Sequence, residues 1–374
     1  VSPAQTAGHR AERPDDQPVL QVEDLTVAFP TEDGVVKAVR GMSYSVAPRE
    51  VLGIVGESGS GKSVSSMAVM GLLPRSARIT GRILFRGEDV LTMSGRQQRG
   101  LRGRRVSMIF QDPMTAMNPV YTVGDQLAEA VRSHSAVPPK AAMQRAREML
   151  DLVGIPQAEA RLRAYPHEFS GGMRQRAMIA MAIINDPDVI IADEPTTALD
   201  VTVQAQVLDT LMSVKEAVGA AIVFITHDLG VIAQVADRTL VMYAGKPVEV
   251  GGTAEVFRKP LMPYTAGLLG STPSAEGTRA GERLRPISGS PPSLISLPRG
   301  CPFGPRCPLV RDDCRASEPQ LTRGGPAAAA DGGPRGTSLP VVSADHLGAC
   351  HHSDELLAAD DPTRFFRAES EVTP

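Results

Sequence analysis

Eight consecutive residues, Gly56-Glu57-Ser58-Gly59-Ser60-Gly61-Lys62-Ser63, read G-x-x-x-x-G-K-S, the spacing of a loop that cradles phosphates. In such a loop successive backbone N–H groups turn toward one point, and the helix that follows adds the positive end of its dipole. Gly56, Gly59 and Gly61 allow the backbone to come close to the phosphates. Lys62 is predicted to reach the β- and γ-phosphates and the Ser63 hydroxyl to ligate Mg²⁺, with Ser58, Ser60 and Val64 completing the contact set. The ligand this pattern predicts is a nucleoside triphosphate.

Further residues able to do phosphoryl chemistry stand at the ends of apolar runs. Val106 to Phe110 delivers Gln111, which either ligates Mg²⁺ and orients water or belongs to a plain Gln-Asp-Pro turn. Val189 to Ala192 delivers Asp193, suited to Mg²⁺, and Glu194, suited to polarising an attacking water. Ala221 to Thr226 delivers His227, and a third polar strand tip of this kind faces the same ligand. Ser170-Gly171-Gly172-Met173 precedes a helical run to Ile184 and makes a second anion site. Phe29, at the end of an early strand, either stacks on an adenine ring or is an ordinary half-buried strand residue.

The four cysteines, Cys301, Cys307, Cys314 and Cys350, all lie near the C-terminus. Where thiols are kept reduced, such a set points to a metal or cluster rather than to disulfides. The spacing is neither that of a standard zinc ribbon nor that of a ferredoxin, and the segment has few large apolar residues with which to fold by burial.

The elements that must hold these residues are legible from periodicity. Val19–Val22, Leu25–Phe29 and Val35–Val39 alternate like strands around an Asp33-Gly34 turn. Val51–Val55 is a buried strand, and a helix runs from Lys62 toward Pro74. Val123 to Val153 reads as helical, with Ala146, Met149, Leu150 and Val153 on one face. A further amphipathic helix carries Val203, Val207, Leu211, Val214 and Val218 and stops at Gly219. Residues 1–18 read as a disordered tail, 271–300 as a linker wrapped on a surface, and 324–336 as low complexity.

Composition narrows the function classes. The chain has 374 residues, a formal net charge of -3 and 22% charged residues, so no basic field argues for nucleic acid. Hydrophobic content of 42% suffices for a buried core, yet no apolar run is long enough to span a bilayer. No signal-peptide pattern opens the sequence. A soluble protein that docks on a membrane partner is expected.

Taken in order, the phosphate loop, Gln111, Phe169-Ser170-Gly171-Gly172, Asp193-Glu194, Ala198-Leu199-Asp200 and His227 resemble the motifs of ABC-transporter ATPases, over roughly residues 19–250. Position 173 is Met where the commonest signature continues with Gln. The string Phe-Ser-Gly-Gly-Met-Arg-Gln-Arg is similar to that of oligopeptide and dipeptide permease ATPases, as are Gln111 to Thr115 and Met242-Tyr243-Ala244-Gly245. The resemblance implies an α/β P-loop NTPase fold of ABC type. Its parts would be a RecA-like core, an N-terminal antiparallel β-subdomain and an inserted helical subdomain at about 112–180. The nucleotide-binding domain would cover 19–258. A small irregular cysteine-containing extension would follow over 259–374, with a low-complexity loop at about 321–340.

That resemblance implies roles as well. The cofactors would be ATP and Mg²⁺, the metal held through Ser63, Gln111 and Asp193. Glu194 would polarise water, His227 would sense the γ-phosphate and Phe29 would stack on adenine. Ser170, Gly171, Gly172 and Met173 would act on ATP held by a partner, beside a loop containing Asp200. The partners would be a second, non-identical ATPase, two membrane permeases and, indirectly, an extracytoplasmic peptide-binding protein, with no nucleic acid. The chain would lie at the cytoplasmic face of the cell membrane and power import of oligopeptides or dipeptides. A non-transport ABC ATPase and a nickel or small-solute importer are the alternatives. The segment Ser293 to Pro308 is similar to the C-terminal part of peptide-permease ATPases, some of which carry a [4Fe–4S] cluster, and the four cysteines are expected to ligate one. Zinc, with His351 and His352 nearby, and four free thiols are the alternatives.

Overall fold

The structure, a computed structural model, describes residues 17–112, 116–197, 199–272, 286–323 and 345–366. Most of the expected N-terminal tail, Pro113 to Thr115, Ala198, part of the expected linker and the low-complexity loop from 324 onward lie outside the described residues.

Two sheets organise the described chain. The first is antiparallel, in the order β2-β1-β4-β5, from β1 (Leu20–Thr31), β2 (Gly34–Val46), β4 (Arg78–Phe85) and β5 (Glu88–Asp89). Its first strand alternates as a half-buried strand should, with Leu20, Val22, Leu25 and Val27 turned inward. A register shift between Val22 and Leu25 keeps the last two on the inner face.

The second sheet is built around β3 (Val51–Val55), β6 (Val106–Ile109), β7 (Val189–Asp193), β8 (Ala221–Thr226) and β9 (Arg238–Tyr243), all parallel. Every residue of β3, β6, β7 and β8 is buried, as expected of parallel strands covered on both faces. The strand order β9-β3-β8-β7-β6 puts β3 among strands distant in sequence. The C-terminal ends of β3, β8, β7 and β6 therefore open on one side, where a parallel sheet binds its ligand.

Helices cover the sheet. The expected single helical span from Val123 to Val153 is two helices, Val123–Arg132 and Pro139–Leu152. The break has a local cause: Pro139 cannot donate to the preceding turn, and it disfavours helical backbone at Pro138. The helix after the phosphate loop, α1, is Lys62–Val69 and stops short of Pro74, because Gly71 takes a φ of 58°. Gly171–Ile183 is capped by the Ser170 hydroxyl, which accepts from Met173 N–H, and Val201–Val218 is capped by Asp200.

The C-terminal extension docks on this core by three kinds of contact. Two short strands, β11 (Thr322–Arg323) and β12 (Leu347–Gly348), continue the large sheet beyond β10 (Lys246–Gly252). Buried Glu249 accepts from Leu261 N–H at 2.7 Å, from Met262 N–H at 3.1 Å and meets His346 Nε2 at 2.8 Å. Phe303, fully buried, packs edge-on against Tyr243 and Tyr264 with ring centroids 5.3 and 5.4 Å away.

Candidate functional site

The loop between β3 and α1 takes the shape its glycines permit. Gly56 and Gly61 have φ of 154° and 101°, and a Cβ on either would collide with a carbonyl oxygen, that of Met242 or of Ala38. Lys62 is buried, and its Nζ donates to the carbonyls of Gly56 at 2.6 Å and Glu57 at 3.0 Å. Burial lowers its pKa, against the pull of Glu194, Asp193 and Glu57.

The other strand tips arrive beside this loop. The Ser63 hydroxyl donates to Asp193 Oδ1 at 3.0 Å. Burial raises the Asp193 carboxyl pKa, partly offset by that hydrogen bond. Glu194 follows with a φ of 48°, a left-handed turn, its own N–H donating to Ile225 O on the neighbouring strand. Its Oε2 accepts from Gln111 Nε2 at 3.1 Å and Thr197 Oγ1 at 2.9 Å, and its Oε1 lies 3.3 Å from His227 Nδ1. Burial pushes this carboxyl up, but the bonds from Thr197 and His227 and the nearby His227 and Lys62 charges outweigh it and hold it below the usual range.

These groups surround one cleft of about 850 Å³. Phe29, Gly56, Ser58, Gly59, Gly61, Lys62, Ser63, Val64, Gln111, Glu194 and His227, all expected from sequence, line it. Ser60 does not: its side chain is buried, and its hydroxyl has no hydrogen-bond partner among the described residues. Asp193 sits behind Ser63 rather than on the wall.

Ser170, Gly171, Gly172, Met173 and Asp200 lie outside the cleft. Ser170, Gly171 and Asp200 are exposed, and a Cβ on Gly172 would press on Val203, so the two loops are neighbours. Sequence reasoning missed Thr197, which follows Glu194 by three residues, and Leu268 and Leu294, which carry no motif. It also missed Arg306, whose guanidinium grips Glu57 of the phosphate loop.

A parallel sheet, a phosphate loop and a carboxylate pair at one strand tip, between Gln111 and His227 at the neighbouring tips, together are those of an ATP-binding cassette. The ABC transporter family matches residues 39–197, and the family described as oligopeptide/dipeptide transporter, C-terminal region, matches residues 248–314. The chain is 50% identical over 358 residues to the oligopeptide transport ATP-binding protein OppD of Mycobacterium tuberculosis, covering 96% of this chain and 55% of that protein. It thus spans about half the length of that relative. It is 55% identical over 292 residues to the dipeptide transport ATP-binding protein DppD of Bacillus subtilis, covering 78% of this chain and 87% of the relative. Among solved structures, cbiO1 from Clostridium perfringens, part of the ABC transporter complex cbiONQ, superposes with a TM-score of 0.56 at 27% identity, covering 65% of this chain and 91% of that one. The chain belongs to the oligopeptide/dipeptide transport family of ABC ATP-binding proteins.

The expectation of a [4Fe–4S] cluster is overturned. The relatives are ordinary peptide-transport ATPases, named for ATP binding and not for an iron–sulfur centre. The residues do not fit the group either. Cys301, Cys307, Cys314 and Cys350 do line one cavity, but it holds about 10 Å³, no more than the ~10–15 Å³ one water needs. Burial raises the Cys301 thiol pKa and pushes those of Cys307 and Cys350 up to about 12. Nor do the four sulfurs form a tetrahedral zinc set: among the described residues the one close group of ligand atoms is Asp313, Cys314 and His352. The expected need for a metal staple overlooked Phe303, Glu249 and the added strands, which anchor the extension without one.

Proposed function

We propose that the chain is the ATP-hydrolysing cassette of a peptide importer. The observation that carries this is Glu194, an ionised carboxylate at the mouth of the phosphate loop, oriented by Gln111, Thr197 and His227. A carboxylate so held accepts a hydrogen bond from water and aims it at the terminal phosphate. Lys62 and the loop N–H groups bind the triphosphate, and His227 faces its γ-end. Phe29 offers its ring to the base.

The Ser63 hydroxyl and the Asp193 carboxylate, 3.0 Å apart, are hard oxygen donors of the kind Mg²⁺ selects, and Gln111, which lines the same cleft, would add its amide oxygen. Bound there, Mg²⁺ supplies charge neutralisation at the phosphate oxygens. The exposed helix start at Ser170 and Gly171 is free to cap the phosphate of ATP on a second cassette, so two cassettes close head to tail. That second cassette is similar but not identical. Peptides are the cargo suggested by the names of the relatives. Among the described residues no helix is long and apolar enough to cross a membrane. In this reading two permease subunits form the passage, in keeping with the match to the ABC transporter family. The cassettes bind these at the cytoplasmic face, and a peptide-binding protein delivers cargo from the other side.

The test is Glu194→Gln in the assembled transporter. ATP binding should persist while ATP turnover and peptide uptake fall by at least about 100-fold, on the order of a lost catalytic base. Lys62→Ala should weaken binding itself. Near-normal hydrolysis by the Glu194 variant, or full activity in a stable monomer at high dilution, would overturn the reading.

A further inference from the structure

The cleft that holds the phosphate loop is not built by the cassette alone. Two of its walls come from beyond residue 258: Leu268, on the helix Pro263–Gly270, and Leu294, in the irregular segment that follows. Both are half-buried against the main core, and both share the cleft with Phe29.

Their positions are tied to the strands that carry Phe29. Phe29 pairs with Val36 across the β1–β2 ladder. The next residue of β2, Lys37, donates its N–H to the Leu294 carbonyl at 3.2 Å. Ile295 lies over Gly34, where a Cβ would come within 3.2 Å of its methyl group, so the segment follows the β2 edge closely. Leu268 is held from the other side. Its helix carries Tyr264, whose hydroxyl accepts from Glu57 N–H in the phosphate loop at 2.8 Å.

The extension cannot drift from this place easily. Arg306 donates to both carboxylate oxygens of Glu57, and Glu318 pairs with Arg40 of β2 and Lys246 of β10. An aromatic ring on one strand, two leucines from the extension and the phosphate loop thus line one cleft, which has an apolar part beside its phosphate-binding part. A flat, largely apolar ring attached to a triphosphate is the ligand that fills both parts.

We propose that the C-terminal extension is part of the nucleotide site, with Leu268 and Leu294 forming the wall that presses the purine base of ATP against Phe29. This rests on the ATP-site reading above. The extension is then a specificity element for the nucleobase rather than an appendage, and the cassette without it binds the triphosphate but grips the base poorly.

Two probes on the full chain separate base contact from phosphate contact: ATP and inorganic tripolyphosphate, each measured by calorimetry with Mg²⁺. Leu294→Ala should raise the Kd for ATP by roughly 3- to 10-fold, the loss expected for part of one apolar side chain, and leave tripolyphosphate unchanged. Leu294→Met, which refills the wall, should restore ATP affinity, and Phe29→Ala combined with Leu294→Ala should cost less than the two effects multiplied, because both grip one ring. Wild-type ATP affinity in Leu294→Ala would overturn the proposal, and so would equal losses for ATP and tripolyphosphate. Failure of the underlying site reading looks different: wild-type protein would then bind neither probe, and Lys62→Ala would change nothing.

Discussion

Arg306 and Glu57, 249 residues apart, form a two-pronged ion pair with N–O distances of 2.7 and 2.9 Å, so the C-terminal extension holds the second residue of the phosphate loop. The guanidinium is almost wholly buried and also lies 5.9 Å from the centroids of both Tyr243 and Phe303. Arg306→Ala should lower stability by ~1–3 kcal/mol, because it leaves a half-buried carboxylate with neither partner nor full solvation. Affinity for ATP and for tripolyphosphate should fall together, since the loop itself loosens. Arg306→Lys should recover only part, as a lysine lacks the fork and the flat face. Melting curves and calorimetry check both expectations, and an Arg306→Ala protein with normal stability and binding would contradict them.

The glycines of the loop should differ in what they cost. A Cβ on Gly56 meets backbone, whereas one on Gly59, at a φ of 78°, has nothing within 4 Å. Gly56→Ala should therefore unfold the loop region and lower the melting temperature sharply. Gly59→Ala should lose only the ~1–2 kcal/mol of a left-handed alanine. Its damage should show in nucleotide affinity, because the open space beside Gly59 belongs to the cleft.

Thr197→Ala removes one hydrogen bond to Glu194, at 2.9 Å, and leaves those of Gln111 and His227. kcat should drop by roughly 3- to 30-fold while KM stays near normal, the pattern of a residue that acts through the carboxylate it orients. A change in KM with kcat preserved would assign Thr197 to binding instead.

Glu249 is wholly buried and accepts from two backbone N–H groups as well as meeting His346. Glu249→Ala strands two donors and the imidazole, and should cost ~3–5 kcal/mol in denaturant unfolding. Glu249→Gln keeps one carbonyl acceptor and should cost clearly less. Equal losses for the two would mean that the carboxylate is not what joins β10 to the extension.

Much of the site was legible because its parts are local. Gly56 to Ser63 is one continuous loop, and the apolar runs before Gln111, Asp193 and His227 announce buried strands by residue type alone. One helix end was legible for the same reason, the stop at Gly219, which lies in the left-handed region. The caps that Ser170 and Asp200 supply with their own side chains are as local but were not read from the sequence. The split at Pro138-Pro139 was equally local, although a reading by apolar periodicity ran across it.

What sequence alone determined is thus the inventory of chemistry: a triphosphate loop, an ionisable glutamate, a histidine and their order along the chain. Only the tertiary structure decided which of them meet, that Ser63 touches Asp193, that Thr197 steadies Glu194, and that Arg306, Leu268 and Leu294 reach back to the loop. The cysteine spacing misled because it carries no information on the cavity between the thiols or on the ring of Phe303 that anchors their segment. The reason is physical: turn chemistry and hydrophobic period act over a few residues, whereas these contacts join segments separated by up to 249 positions and exist only once the parallel sheet has been assembled.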